Sequence, residues 1–88
     1  MSVTDEDSRR RVLHRLRRAR GQLDAVIDAV ESDAPCRDVV TQLAAVTHAL
    51  NRAGFVVVAN AMEECAGTGK NKEGLTTEEL EKLFLSLA

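Results

Sequence analysis

Apolar residues recur at intervals of three and four along three stretches of the chain, which is the spacing of amphipathic helices. The first stretch carries Val12, Leu16, Ala19, Leu23, Val26 and Val30. The second carries Cys36, Val40, Leu43, Thr47, Leu50, Gly54, Val57, Ala61 and Cys65, and the third carries Leu80, Leu83, Phe84 and Leu87. No stretch alternates with the period of two that a half-buried strand requires. The pattern predicts an all-α fold of three helices.

Turn-forming residues set the limits of these helices. Asp33 is a plausible N-cap for the second helix, with Pro35 in its first turn. No helix-breaking signal follows until Gly67, so this helix runs for about 30 residues, far beyond the usual three or four turns, and we expect it to span an oligomer. The glycine-rich segment 67–74 is interpreted as a plain connector, and Thr76 with Glu79 predicts a capping box. Residues 1–7 are expected to be a flexible tail, and 1–88 a single domain.

The net charge of −2 conceals a strong segregation of charge. Seven of the 12 basic residues lie between positions 9 and 20, with no acid among them: Arg9, Arg10, Arg11, Arg15, Arg17, Arg18 and Arg20. Such asymmetry indicates a polyanionic partner. The planar guanidinium group suits paired contacts to phosphate oxygens. His14 and His48 are interpreted as packing or surface residues, and Glu63 with Glu64 as a solvated pair.

The chain's two cysteines, Cys36 and Cys65, lie at opposite ends of the long predicted helix, roughly 43 Å apart at ~1.5 Å per residue. Their separation of just over eight turns puts both thiols on nearly the same face. An antiparallel second copy would bring Cys36 of one subunit opposite Cys65 of the other. Cys36 also falls in a first helical turn, where the helix dipole favours thiolate. The alternative is a pair of ordinary buried thiols.

Several classes of protein are disfavoured. No signal peptide precedes the first helix, so a reducing cytoplasm is expected, and no apolar run approaches the ~20 residues that span a bilayer. No acid–base pair, activated nucleophile or cofactor motif indicates an enzyme.

Several segments together make the chain resemble the copper-sensing operon repressor family (CsoR/RcnR). These segments are 15–24 (RLRRARGQLD), 36–39 (CRDV), 42–46 (QLAAV), 50–53 (LNRA) and 60–65 (NAMEEC). The resemblance implies a three-helix subunit that forms antiparallel dimers and then tetramers. It also implies DNA binding without a helix-turn-helix, through a basic surface matching Arg15, Arg18 and Arg52, and release of the operator when an intersubunit site is loaded. We add Arg17 and Arg20 to that surface.

The chain departs from the copper-sensing pattern at one position. Those members supply a His-x-x-x-Cys pair from the end of the second helix, and here the histidine position is Ala61. Members that keep both cysteines without this histidine resemble the persulfide-sensing (CstR-like) repressors. We therefore expect a repressor that needs no cofactor and leaves its operator when Cys36 and the partner's Cys65 react with persulfide, polysulfide or another thiol oxidant.

Two other hypotheses remain open at this stage. The first is a repressor that responds to Cu(I) or another soft metal through the same two thiolates. The second is a helical adaptor with inert thiols, whose arginine cluster binds a protein or a membrane surface. Glu79 matches only loosely an acidic residue that couples the metal site to DNA binding in the copper-sensing members. Its role in the capping box is sufficient to explain its presence.

Overall fold

The computed structural model describes residues 6–88, and within that range it contains three helices and no strand. They are α1 (Glu6–Glu31), α2 (Cys36–Glu64) and α3 (Thr77–Leu85). The all-α fold with one long central helix is confirmed. The molecule is a rod of 53 × 24 × 13 Å, and the 29 residues of α2 extend along most of its length, roughly 43 Å.

The first helix begins earlier than expected. Glu6 and Asp7, at the end of the segment 1–7 that was expected to be a tail, form the first turn of α1; the rest of that segment lies outside the described residues. Carboxylates in a first turn are favoured because they lie against the positive end of the helix dipole.

The helices α1 and α2 form an antiparallel hairpin whose contact follows a heptad spacing. The buried positions on α1 include Val12, Ala19 and Val26, and those on α2 include Val46, Ala53 and Asn60. The other half of each predicted apolar stripe remains exposed, with Leu16, Leu23, Leu43 and Leu50 between 38% and 48% accessible. A helix in a two-helix hairpin has only one neighbour, so it buries one edge of a wide apolar band.

The turn between α1 and α2 corrects the prediction made for Asp33. Its φ is 57°, in the left-handed region, and the N-cap of α2 is Pro35, with no side-chain cap. The Asp33 amide donates to Val30 O at 3.1 Å and the Ala34 amide to Ala29 O at 2.9 Å. These two bonds define a Schellman motif that ends α1. Asp33 is therefore the left-handed residue after a helix, a place that aspartate tolerates and glycine prefers.

The substitution Asp33→Gly is expected to stabilise the protein by about 0.5–1 kcal/mol, because glycine adopts this backbone conformation without strain. It also removes a negative charge from the negative end of the α1 dipole. Denaturant unfolding monitored by circular dichroism measures the change. Ser32→Gly, one residue earlier at a conformation that any residue adopts, serves as the control and should lower stability; equal effects of the two substitutions would contradict the assignment.

The loop between α2 and α3 is more ordered than the expected plain connector. Buried Asn71 accepts hydrogen bonds from the amides of Glu73 and Leu75 through its Oδ1, at 3.1 and 2.8 Å. The amide of Lys72 donates to Glu64 Oε1 at 3.1 Å. These bonds tie the loop to the end of α2 and fix where α3 begins.

The third helix begins with the capping box that the sequence predicts. The Thr76 hydroxyl accepts from the Glu79 amide, and Glu79 accepts from the Thr76 amide, each at 3.2 Å. Leu80, 2% exposed, then packs on the end of α2. The rings of Phe55 and Phe84, 5.1 Å apart, hold α3 farther along. The third helix therefore covers only the C-terminal half of α2.

Candidate DNA-binding groove and thiol site

A groove of about 780 Å³ runs between α1 and α2 on one side of the hairpin. It contains Arg15, Arg18 and Arg52, which the sequence analysis assigned to DNA binding. Small residues Ala45 and Ala49 on α2 also line it. Arginines from two helices therefore converge on one concave surface, where they can contact a row of phosphates.

The groove also includes residues that the sequence analysis did not assign to it. These are Arg10, Arg11, His14, Gln22 and His48. A regular spacing would have indicated part of this set. Positions 11, 15, 18 and 22 are separated by four, three and four residues, which places them on one face of α1. Arg17 and Arg20 are not in the groove, and their predicted role in DNA binding remains a prediction.

The groove and the exposed apolar stripe lie on opposite flanks of the hairpin. On α2, Ala49 follows buried Val46 by three residues and Leu50 follows it by four. Because each residue turns the helix by ~100°, Ala49 lies on one side of Val46 and Leu50 on the other. The same relation holds on α1, where Arg15 and Leu16 follow buried Val12 by three and four. A ligand could thus occupy the basic flank while a second chain covers the apolar one.

The two cysteines share the apolar flank but differ in their surroundings. Cys36 is the first residue of α2 and is exposed. Cys65 is the residue immediately after α2, its C-cap, and is 8% exposed. Its thiol lies 3.5 Å from Ala61 O and 3.8 Å from Leu75 O, against Leu80. One thiol is therefore open to solvent, and the other is enclosed by its own chain.

Within one chain the thiols cannot meet, because α2 separates them by roughly 43 Å. Ala61, one turn before Cys65, offers no donor atom. No group of three His, Cys, Asp or Glu side chains between residues 6 and 88 is arranged to hold a metal ion. Any site that uses both thiols must draw them from two copies of the chain.

Comparison with known proteins identifies the class. The family model described as a metal-sensitive transcriptional repressor matches residues 8–86. The chain belongs to this family, the CsoR/RcnR repressors that the sequence analysis indicated. It is therefore classed with transcriptional repressors rather than enzymes, as expected.

Individual relatives are named for copper. The chain is 49% identical over 65 residues to the copper-sensing transcriptional repressor CsoR of Mycobacterium ulcerans (strain Agy99), an alignment that covers 74% of this chain and 56% of that protein. It is 43% identical over 60 residues to the CsoR of Mycobacterium tuberculosis (strain ATCC 25618 / H37Rv), covering 68% and 50%. The chain thus spans about half the length of these relatives. No solved structure matches it.

None of the helices described between residues 6 and 88 combines the length and the apolar character needed to cross a membrane.

Proposed function

We propose that the chain is a DNA-binding transcriptional repressor whose effector site pairs Cys36 with Cys65 of a second subunit. The observation that carries this proposal is the position of the two thiols. They lie at the two ends of one long helix and on the same flank. Only an antiparallel neighbour can bring them together, and it does so twice, once at each end of the pair of helices.

The exposed apolar residues support such a pairing. Val40, Leu43 and Leu50 are 57%, 47% and 48% accessible, and all lie on the N-terminal half of α2, which α3 leaves uncovered. Removing these side chains from water stabilises a dimer by about 25 cal/mol for each Å² of apolar surface.

The basic groove is the proposed surface for operator DNA. It lies on the flank away from the proposed dimer contact, so DNA and the second subunit do not compete for space. Phosphate contacts from Arg15, Arg18 and Arg52 supply affinity that depends strongly on salt. Loading the thiol site favours a different arrangement of the two subunits, in which the paired grooves no longer match the duplex.

Cu(I), or another soft metal, is the first candidate effector. The family description and the names of the relatives support it. Two thiolates suit a soft monovalent ion, and the two ligands of each site would be Cys36 and the partner's Cys65. With alanine at position 61, the chain itself supplies a two-coordinate site, and a third ligand would have to come from solution.

A reactive sulfur species is the second candidate, and Ala61 is the observation that favours it. A polysulfide needs two thiols and no third donor. One thiolate attacks an S–S bond of the polysulfide and acquires its terminal sulfur atoms, while the rest of the polysulfide leaves as a shorter polysulfide or hydrosulfide. The second thiolate then attacks the resulting persulfide. The thiols become a di-, tri- or tetrasulfide bridge, hydrosulfide leaves, and the polysulfide sulfur accepts the electrons.

One paired experiment separates the two effectors. The reduced protein, bound to a fluorescent operator duplex, is titrated without oxygen with Cu(I) in competition with a strong chelator, and in parallel with sodium tetrasulfide. Cu(I) sensing predicts release of DNA at one ion per thiol pair and no covalent dimer. Sulfur sensing predicts release by tetrasulfide together with a crosslinked dimer in non-reducing mass spectrometry, in which the tri- and tetrasulfide forms are heavier than the disulfide by whole sulfur atoms. Release by neither compound would contradict the proposed thiol site.

A further inference from the structure

The two histidines of the chain both line the arginine groove. His14 comes from α1 and His48 from α2. They are 34 positions apart and on different helices, so only the folded hairpin brings them to one groove. Both are exposed to solvent.

Each imidazole has an arginine as its neighbour along the helix. His14 precedes Arg18 by four residues and His48 precedes Arg52 by four, a separation that leaves about 5–6 Å between the Cβ atoms. Phosphates held by these arginines would therefore lie within reach of an imidazole N–H as well.

We propose that His14 and His48 are part of the phosphate-binding surface, and that their protonation raises the affinity of the protein for DNA. This inference rests on the proposed function and adds two contacts to it. Histidine is the side chain that changes charge between about pH 5 and 8. In its protonated form both ring nitrogens are donors, so each imidazole would add a positive charge and a hydrogen bond to a phosphate.

Other charged groups around the imidazoles determine the direction of the effect. The lining contains the basic side chains Arg10, Arg11, Arg15, Arg18 and Arg52 and no acid. The nearest acid on the same face of α1 is Asp7, two turns before His14 and about 10 Å along the axis. No acid of the lining competes for a protonated imidazole, and a bound phosphate favours the positively charged form of each ring. DNA binding therefore takes up protons, and affinity rises as pH falls.

The test measures binding of the reduced protein to one operator duplex by fluorescence anisotropy at about pH 6 and about pH 8. Each protonated imidazole that contacts a phosphate should make the slope of log K against the logarithm of the salt concentration steeper by about 0.9. At 0.15 M salt this corresponds to an affinity about five-fold higher. We expect the wild-type protein to bind more tightly at the lower pH by about this factor for each histidine. His14→Gln with His48→Gln removes every imidazole and should abolish the difference between the two pH values.

Three results are informative. Each single variant should retain about half of the difference in log K between the two pH values. An equal response to pH in the wild type and the double variant, with helicity unchanged by circular dichroism, would overturn the inference while leaving the repressor assignment intact. No duplex binding by the wild type at either pH, even at low salt, would overturn the proposed function and this inference with it.

Discussion

Replacing Arg15 and Arg52 together with alanine is expected to weaken operator binding by about 30-fold for each subunit that contacts the duplex, at 0.15 M salt. The two side chains come from different helices and meet in one groove, so the double variant removes charge from both of its walls. Each lost phosphate contact lowers the slope of log K against log salt by about 0.9. Anisotropy titrations at several salt concentrations measure both quantities.

A matched variant distinguishes the groove from the net charge. Arg17→Ala with Arg20→Ala also removes two positive charges, both from α1, but leaves the groove lining untouched. If the groove holds the phosphates, this variant should reduce affinity several-fold at most, because neither side chain lines the groove and charges beyond a Debye length of ~8 Å are largely screened. Equal losses from the two double variants would show that DNA binding depends on the basic segment as a whole, and the groove would lose its assigned role.

The second large effect concerns Cys36. Cys36→Ser should bind operator DNA with wild-type affinity. It should stay bound at effector concentrations that dissociate the wild-type protein from the DNA completely. The thiol lies on the flank opposite the groove and is exposed, so its removal alters neither the DNA surface nor the core. Release of DNA at the wild-type effector concentration would mean that the response originates elsewhere.

Cys65→Ser provides a contrast to that variant. It should abolish the response as well, and it should also lower the free energy of unfolding by about 1 kcal/mol, because a more polar hydroxyl replaces a buried thiol. The cost arises from the enclosure of Cys65 by Leu75 and Leu80. Chemical denaturation of the two variants measures this difference, and a loss of stability confined to Cys36→Ser would contradict the structural description.

The helices could be predicted from the sequence because their signals are local. Apolar spacing defines α1 and α2, and the Thr76–Glu79 capping box defines the start of α3. The turn at Asp33 was assigned wrongly, because aspartate is favoured both as an N-cap and in the left-handed position after a helix. Only the path of the chain decides between these roles.

The candidate site could be predicted only in part. Arg15, Arg18 and Arg52 followed from the family resemblance, whereas His14 and His48 required the folded hairpin that brings them into the same groove. The predicted stripe on α2 contains Ala61, which contacts α3, and Gly54, which lies against Leu87 just after α3. It also contains residues that remain open, such as Val40 and Leu43. A periodic pattern indicates which face is apolar and does not indicate which neighbour covers each part of it.

Mixing the two single-cysteine variants tests the intersubunit site most directly. Cys36→Ser keeps only Cys65, Cys65→Ser keeps only Cys36, and a dimer of one with the other contains one complete pair. After exchange of subunits and treatment with a mild thiol oxidant, non-reducing mass spectrometry should show a covalent heterodimer in the mixture and little crosslinking in either variant alone. Crosslinking as efficient in one variant alone as in the mixture, or no heterodimer at all, would contradict the antiparallel pairing of Cys36 with Cys65.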